Sequence, residues 1–533
     1  MNRKLRDKLI LVATCLMLLW CIPSFGQVLK GSISGTAVDQ NGAVVPGAQV
    51  KATNTGTNAV LTTTTDNSGS FRFNLIPAGE YKLEISAQHF KTAVQNGVAV
   101  SAGRDSGLGQ VRLSVGEAST TVEVTADAPL IETTQAQVTN TFSGVALSTF
   151  AGIQENQGLD NLAVFVPGVS SARDNGFSNS NGGGGFSSNG LRGRNNDQQI
   201  DGQNNNDNSV GGPGLFVTDS EFVSQYVLVT NQFGPEYGRN SGSVVNIITK
   251  SGTNAWHGSV FGAENNSILN SLTNFQKNPD ICGFAANGVS PGPNCLTKPP
   301  RENNEFSGFT IGGPWIKNKL FFFGGFDNQI VSQSNVFSSS NYTPTPAGLA
   351  ALAACFPTGV QNQAVLAITK FGPFGISGGN PQVSIPDAGI KNLTPVSCPN
   401  ATFAGVSRIV TQPVHNFDWI LKQDLQLGND TITGRYIFNR GNSFNLSDNG
   451  AAGYFFNVPA LAQSALISWT HNLSAHMVNE ARVSWGRLNV EFGGNTIGNT
   501  EPVAQNLDQA LANITIQGSN LGFGPATNLP QQR

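Results

Sequence analysis

From Trp256 onward the chain repeats one pattern: apolar and polar residues alternate for eight to fifteen residues, and a polar, glycine-rich link then interrupts them. Alternation with a period of two marks a strand that buries one face. Seven segments read this way: Trp256–Glu264, Glu305–Gly312, Leu320–Gln329, Trp419–Leu427, Thr431–Asn439, Gln463–Leu473 and Met477–Glu491. The links between them come in two lengths. "GPWIKNK", "GND" and "SAH" are tight, whereas Asn265–Asn304, Ile330–Asp418 and Arg440–Ala462 are long, and the two kinds alternate strictly. A transmembrane β-barrel has that signature, with turns on one rim and loops on the other. A soluble sandwich gives no reason for it.

Upstream the pattern changes. Between Gly31 and Val115 short alternating strands recur between turn signals such as Asn41-Gly42 and Pro46-Gly47, which predicts an all-β sandwich. Phe71, Phe73 and Leu75 are expected on one buried face, as are Tyr81, Leu83 and Ile85. Thr121–Ala126 is a further alternating strand with no hairpin partner nearby and Pro129 behind it. A free strand carries unpaired N–H and C=O groups and suits pairing with another protein's sheet edge. The same residues read equally as the last strand of the sandwich, or as a linker. Further on, "GRNSGSVVNIITKSGTN" (Gly238–Asn254) sets a strand, Ser243–Thr249, between glycine-rich breaks. It is apolar or β-branched on both sides apart from Asn246, as in a strand that meets protein on both faces. Gly238, Gly242 and Gly252 permit tight turns and close backbone approach there. The Asn- and Gly-rich tract Asp174–Gly190 is expected to be a flexible or disordered loop, and its carboxylates lack EF-hand spacing.

Composition narrows the class. Among 533 residues the formal net charge is −3 and only 12% are charged, so no basic surface exists for nucleic acid. Abundant glycine (62) and scarce methionine (3) fit turn-rich β-structure. Arg3, Lys4, Arg6 and Lys8 precede an apolar run, Leu9–Ile22, and the small residues Ser24 and Gly26 follow it, which predicts a signal peptide ending at residue 26. The run is short for a membrane anchor, which needs about 20 apolar residues. Past it no uninterrupted apolar stretch reaches spanning length, which excludes a helical membrane protein and leaves a β-barrel open. The five histidines are scattered, and neither H-E-x-x-H nor G-x-S-x-G occurs. No catalytic residue, metal or cofactor is therefore expected. Past the expected signal peptide the cysteines fall in two long links, Cys282 with Cys295 and Cys355 with Cys398. Export permits disulfides, and four cysteines allow three connectivities, of which pairing within each link is the simplest.

Three stretches, in order, resemble the plug domain of TonB-dependent outer-membrane receptors: "LAVFVPGVSS", "LRGRNNDQQIDGQNNND" and "FVSQYVLVTNQFGPEYGRNSGSVVNIITKSGTN". The run from Glu236 to Arg239 leading into the strand carries the likeness most specifically. "GTAVDQNGAVVPGAQVKATN" and "TDNSGSFRFNLIPAGEYKLEIS" are similar to the carboxypeptidase regulatory-like domain, a transthyretin-like, carbohydrate-binding-like sandwich. "FSGFTIGGPWIKNKLFFFGGF" is similar to an early hairpin of Oar-like barrels. This resemblance to the Oar-like branch spans essentially the whole chain and implies an all-β-dominated protein of five parts. These are a signal peptide (1–26), the sandwich (27–115), a linker (116–133), an α+β plug (134–255) and the first strands of a transmembrane antiparallel barrel (256–533). In the linker, Thr121, Val122, Glu123, Val124, Thr125 and Ala126 resemble a TonB box. In the plug, Arg192, Gly193, Asp201, Gly202, Glu236, Gly238, Arg239 and Gly242 fall on the family's motif positions, and the charges are expected to pair with the inner barrel wall.

The resemblance implies uptake of a large, scarce solute (a siderophore, oligosaccharide or peptide) driven by proton-motive force through TonB. The partners it implies are TonB, outer-membrane lipid and an extracellular ligand. A surface carbohydrate-binding or adhesion protein is the rival class, and it has no need of a plug. Family barrels close with about 22 strands, whereas this chain ends "NLPQQR" after seven, without a terminal aromatic strand. It is therefore expected to be the N-terminal portion of a longer receptor, or a non-functional truncated one.

Overall fold

The structure is a computed structural model. It describes residues 30–116, 121–123, 137–144, 146–147, 158–171, 186–206, 219–234, 237–238, 240–277, 298–299, 302–337, 342–344, 346–357, 403–405, 408–445, 456–474, 477–494, 514–516, 521–523 and 531–532. The expected signal peptide, Val124, Thr125, Ala126, Glu236, Arg239, Cys282, Cys295 and Cys398 lie outside these residues.

Eight strands make the sandwich: β1 (Gly31–Val38), β2 (Gln49–Asn54), β3 (Val60–Thr64), β4 (Ser70–Ile76), β5 (Gly79–Ser86), β6 (Thr92–Val100), β7 (Asp105–Arg112) and β8 (Thr121–Glu123). They form two sheets, β4-β1-β7 and β3-β2-β5-β6-β8, over a core that holds Ile33, Phe71, Phe73, Tyr81, Leu83 and Ile85. The expected alternation fails at one residue. Leu75 takes a left-handed φ of 53°, the register between β1 and β4 slips, and Ile76 enters the core in its place. One irregular residue moves all that follows it to the other face. Buried Asp105 joins three strands, accepting from Ser32 Oγ (2.7 Å), Ser34 Oγ (2.8 Å) and Arg72 Nη1 (2.9 Å). Asp105→Ala leaves those donors without their acceptor and is expected to cost about 1–3 kcal/mol. The check is hydrogen exchange of β1 and β7 amides in urea, with Asp105→Asn recovering part of the loss.

The strand β8 is not free. It pairs in parallel with β6, Ala93 opposite Val122, at the end of its sheet. Over Thr121–Glu123 the expectation of an unpaired strand is thus corrected: the sandwich occupies one of its two edges.

The plug follows as β9 (Val138–Ser143), β10 (Val169–Ser171), β11 (Phe186–Ser188), β12 (Asp197–Ile200), β13 (Gln203–Asn204), β14 (Val223–Asn231) and β15 (Val244–Thr249). The main sheet runs β13-β12-β15-β14-β9, with β15 at its centre. It is parallel to β12, antiparallel to β14 and buried at every residue except Ile248, which is partly exposed. That position explains why β15 lacks polar–apolar alternation. Helical structure among the plug's described residues is mainly 3-10, at Gly158–Phe165, Gly193–Asn195 and Ser220–Phe222. Part of the tract expected to be flexible is core. Phe186–Ser188 pairs with β10, and the Phe186 side chain is fully buried.

All seven expected barrel strands are present: β16 (His257–Asn266), β17 (Glu302–Ile316), β18 (Leu320–Phe337), β21 (Arg408–Leu427), β22 (Asp430–Asn445), β23 (Phe456–Ser474) and β24 (Met477–Gly494). Short pairs β19 (Tyr342–Pro344) with β20 (Phe403–Gly405), and β25 (Ile514–Ile516) with β26 (Leu521–Phe523), form sheets of their own, and the last member of the main sheet is β27 (Gln531–Gln532). That sheet is antiparallel in the order β16-β17-β18-β21-β22-β23-β24-β27. From β17 on, its strands before β27 run 15 to 20 residues, longer than read from sequence. A strand needs only about 9–11 residues to meet hydrocarbon, and exposed apolar side chains such as Phe309, Phe326, Ile467 and Val483 fall within the alternating band read from sequence. Beyond it, stretches such as Ser332–Asn335 are polar in both parities and give no alternation signal. The long link after β18 holds a helix, Pro346–Cys355, and Cys355 is disulfide-bonded to a cysteine outside the described residues. Among the described residues no helix is long and apolar enough to cross a membrane.

Candidate functional site at the plug–wall contact

Strand parity decides what the plug meets. Inward positions carry Phe321 and Phe323 on β18, Asp418, Ile420 and Lys422 on β21, Arg435, Ile437 and Asn439 on β22, and Ser464 on β23, all buried. Phe323, Ile420 and Ile437 share one hydrophobic cluster with Phe222, Val223, Tyr226 and Ile247 of the plug. The wall and the plug thus bury one continuous core.

A charged hub lies within that contact. The hairpin β12–β13 turns at Asp201-Gly202, where φ is 45° and 69°. Two successive left-handed residues suit a type I′ turn, for which Asp-Gly is a favoured pair. The turn carries the Asp201 carboxylate onto the wall. Its Oδ1 accepts from Thr249 N (2.9 Å), and its Oδ2 from Thr249 Oγ1 (2.7 Å) and Arg435 Nη1 (2.9 Å). Lys422 Nζ stands 3.8 Å from Oδ1 and donates to Thr249 O (3.2 Å) and Oγ1 (3.0 Å). Arg435 has no exposed side-chain surface, and donates further to Ile200 O (3.0 Å), Gln203 Oε1 (2.5 Å) and Ser464 Oγ (2.8 Å). Beside it Arg482 Nη1 donates to Gly202 O (3.1 Å), and Gln203 Nε2 to Trp485 O (3.2 Å).

Lys422 and Arg435 are register partners on adjacent strands, so their like charges stand side by side in a buried wall. Asp201 is the anion keyed to both. Burial pushes its carboxyl up, but Lys422, Arg435 and the Thr249 bonds outweigh burial and hold it at about 2. A second contact has the opposite character. Asp219 caps the turn Ser220–Phe222 and faces Asp327 and Asp418, which oppose one another on β18 and β21. Burial pushes Asp219 up to about 7, against the bond from Glu221 N. Among the described residues no three His, Cys, Asp or Glu are arranged to hold a metal ion.

Of the other motif residues, Arg192 is exposed and Gly193 is buried. The expected close approaches are found at two glycines. A Cβ on Gly242 would stand 2.5 Å from Asn196 Oδ1, and one on Gly252 would stand 2.3 Å from Phe322 O on the wall. Lys422, Arg435, Arg482 and Gln203 were not among the expected site residues. For Lys422 and Arg435 the signal was parity: both occupy inward positions in strands whose outward positions are Trp419, Leu421, Tyr436 and Phe438.

A family model described as "Outer membrane beta barrel domain" matches residues 248–533. The chain belongs to the outer-membrane β-barrel family. Its place is the outer membrane, and a "Carboxypeptidase regulatory-like domain" model matches the sandwich at residues 32–114. The TonB-dependent transporter Oar of Myxococcus xanthus is 30% identical over 336 residues, which are 61% of this chain and 29% of that protein. The chain therefore spans less than a third of the length of this curated relative. Among solved structures, the outer membrane transporter YddB from Escherichia coli aligns at a TM-score of 0.41 and 10% identity, over 67% of this chain and 40% of its own. The ferric enterobactin receptor PfeA from Pseudomonas aeruginosa, in complex with enterobactin, aligns at 0.37 and 13%, over 67% and 41%. The likeness to Oar-like TonB-dependent receptors read from the motifs recurs in the alignment with Oar, over 61% of this chain.

Proposed function

We propose that this protein serves as an outer-membrane receptor for a large, scarce solute (a siderophore, an oligosaccharide or a peptide), and that TonB moves its plug by drawing on proton-motive force. The observation that carries the reading is the charged hub. A plug fixed for good is served by an apolar seam alone. Here one aspartate is keyed to two wall cations, an arrangement that water can take over on each side when the plug shifts. Long loops and the plug's outer face take the solute in this reading, and Thr121–Ala126 is the strand that TonB grips. An adhesin requires neither the keyed plug nor that strand. The test is Val124→Pro, since proline removes a backbone donor and disfavours the strand. Co-purification of the TonB periplasmic domain with the receptor should fall at least tenfold at unchanged protein level. Unchanged co-purification sinks the coupling role of this strand.

A further inference from the structure

Among the described residues, three contacts fasten the sandwich to the rest of the chain. In the first, the loop after β6 reaches the plug. Ala102 N donates to Gln225 Oε1 (3.2 Å), and Ala102 is fully buried in an apolar cluster with Val227, Val229, Tyr237 and Val244. In the second, the loop after β2 reaches the barrel. Asn254 N donates to Gly56 O (2.8 Å), while Asn58 Nδ2 (3.1 Å) and Asn254 Nδ2 (2.8 Å) both donate to Asn318 Oδ1. In the third, Lys30 Nζ bonds to Thr470 Oγ1 on β23, with Glu480, Arg482 and Asp424 close enough to act on its charge. Asn318 lies in the tight turn between β17 and β18, and Thr470 lies just before the tight link between β23 and β24. Both mark the rim of short turns, so the sandwich reaches across that mouth from the β17–β18 turn to β23.

We propose that the sandwich is a lid on the turn-side mouth, which lifts as a body before the plug is displaced through it. The proposal rests on the transport reading for its source of force. While docked, Ala102 stands against β14 and β15 and blocks the plug's way towards this rim. The attachment is built to release. Its apolar part is small, its Asn–Asn bonds are exposed and compete with water, and such mixed contacts between domains favour relative motion. The Lys30 contact holds at a cost: burial pushes its ammonium down, with partial relief from Glu480 and Asp424, and lifting returns it to water. The handle is in place too. Strand β8 opens the proposed TonB strand and is also an edge strand of the lid, so tension on it reaches β6 directly.

A Cβ built on Gly56 lies 3.7 Å from Thr253 Cβ, within the range of a disulfide. Gly56→Cys/Thr253→Cys therefore reports docking as a cross-link in the outer membranes of cells that also contain TonB. Linkage should be near complete in protonophore-treated cells and several-fold lower in energised ones. Ala102→Asp, which sets a carboxylate among Val227, Val229 and Tyr237, should keep linkage low in both. Equal linkage in energised and de-energised cells, with TonB still co-purifying, overturns the lid. So does absence of linkage when both cysteines label with maleimide. Failure of the transport reading shows separately, as loss of TonB co-purification, on which linkage in de-energised cells does not depend.

Discussion

Asp201→Ala is expected to weaken the seating of the plug by about 3–5 kcal/mol, the range for removing one partner of a buried ion pair. The size follows from what stays behind. Lys422 and Arg435 remain side by side in the wall with no anion between them, and Arg435 has no exposed side-chain surface through which to recover water. The replacement of all three by apolar residues should cost far less than the single change, because it strands no charge. Hydrogen exchange of β12 and β15 in urea reads the loss. Acid should act on the same group more gently. The Asp201 carboxyl sits at about 2 against an ordinary 3.8, so its contribution is fully present above about pH 4 and disappears as pH falls through 2. That difference corresponds to about 2 kcal/mol, less than the alanine change, because a protonated Asp201 still accepts from Thr249 and Arg435. In Asp201→Ala this part of the pH dependence should vanish. An Asp201→Ala plug that exchanges like the wild type shows that Thr249 and the apolar core suffice to seat it.

The fold was largely legible because its signals are local. Alternation between Trp256 and Glu491 marks the membrane band of every barrel strand, and the lengths of the links mark the rims. The misreadings are equally physical. Leu75 and Ile76 are both apolar, so the bulge that exchanges them leaves no trace in a pattern of polar and apolar letters. Phe186 stands in a run of Asn, Gly and Ser and reads as loop, because the strand it joins, β10, lies fifteen residues or more away in sequence. The charged hub was half legible. Asp201-Gly202 announces a turn by its own chemistry, whereas its partners on the wall lie more than 200 residues downstream, and no local pattern links them. Parity alone picks out Lys422 and Arg435 as inward charges, and an inward charge requires a counter-ion from whatever fills the barrel.

The second large effect is expected where the wall has no side chain at all. Gly325 faces inward on β18, and the Phe222 ring lies against it. A Cβ on Gly325 would stand 2.4 Å from Phe222 Cε1, 2.7 Å from Cδ1 and 3.3 Å from Ile420 Cγ2. The ring has nowhere to go. Phe222 is 1% exposed, closes the turn that Asp219 caps, and packs in the cluster with Val223, Tyr226, Phe323 and Ile420. Gly325→Leu must therefore drive Phe222 from its seat or push the plug from the wall. The expected cost is about 3–5 kcal/mol, that of deleting a buried phenylalanine. Phe222→Ala alone should cost a similar amount, by leaving a cavity. Together they should cost well under the sum, because the leucine on β18 fills the space the ring vacates. Hydrogen exchange of β14 and β15 in urea, run on both single variants and the double, measures the coupling. Additive losses would show that β18 needs a glycine at 325 for its own backbone, and that the ring's seat lies elsewhere.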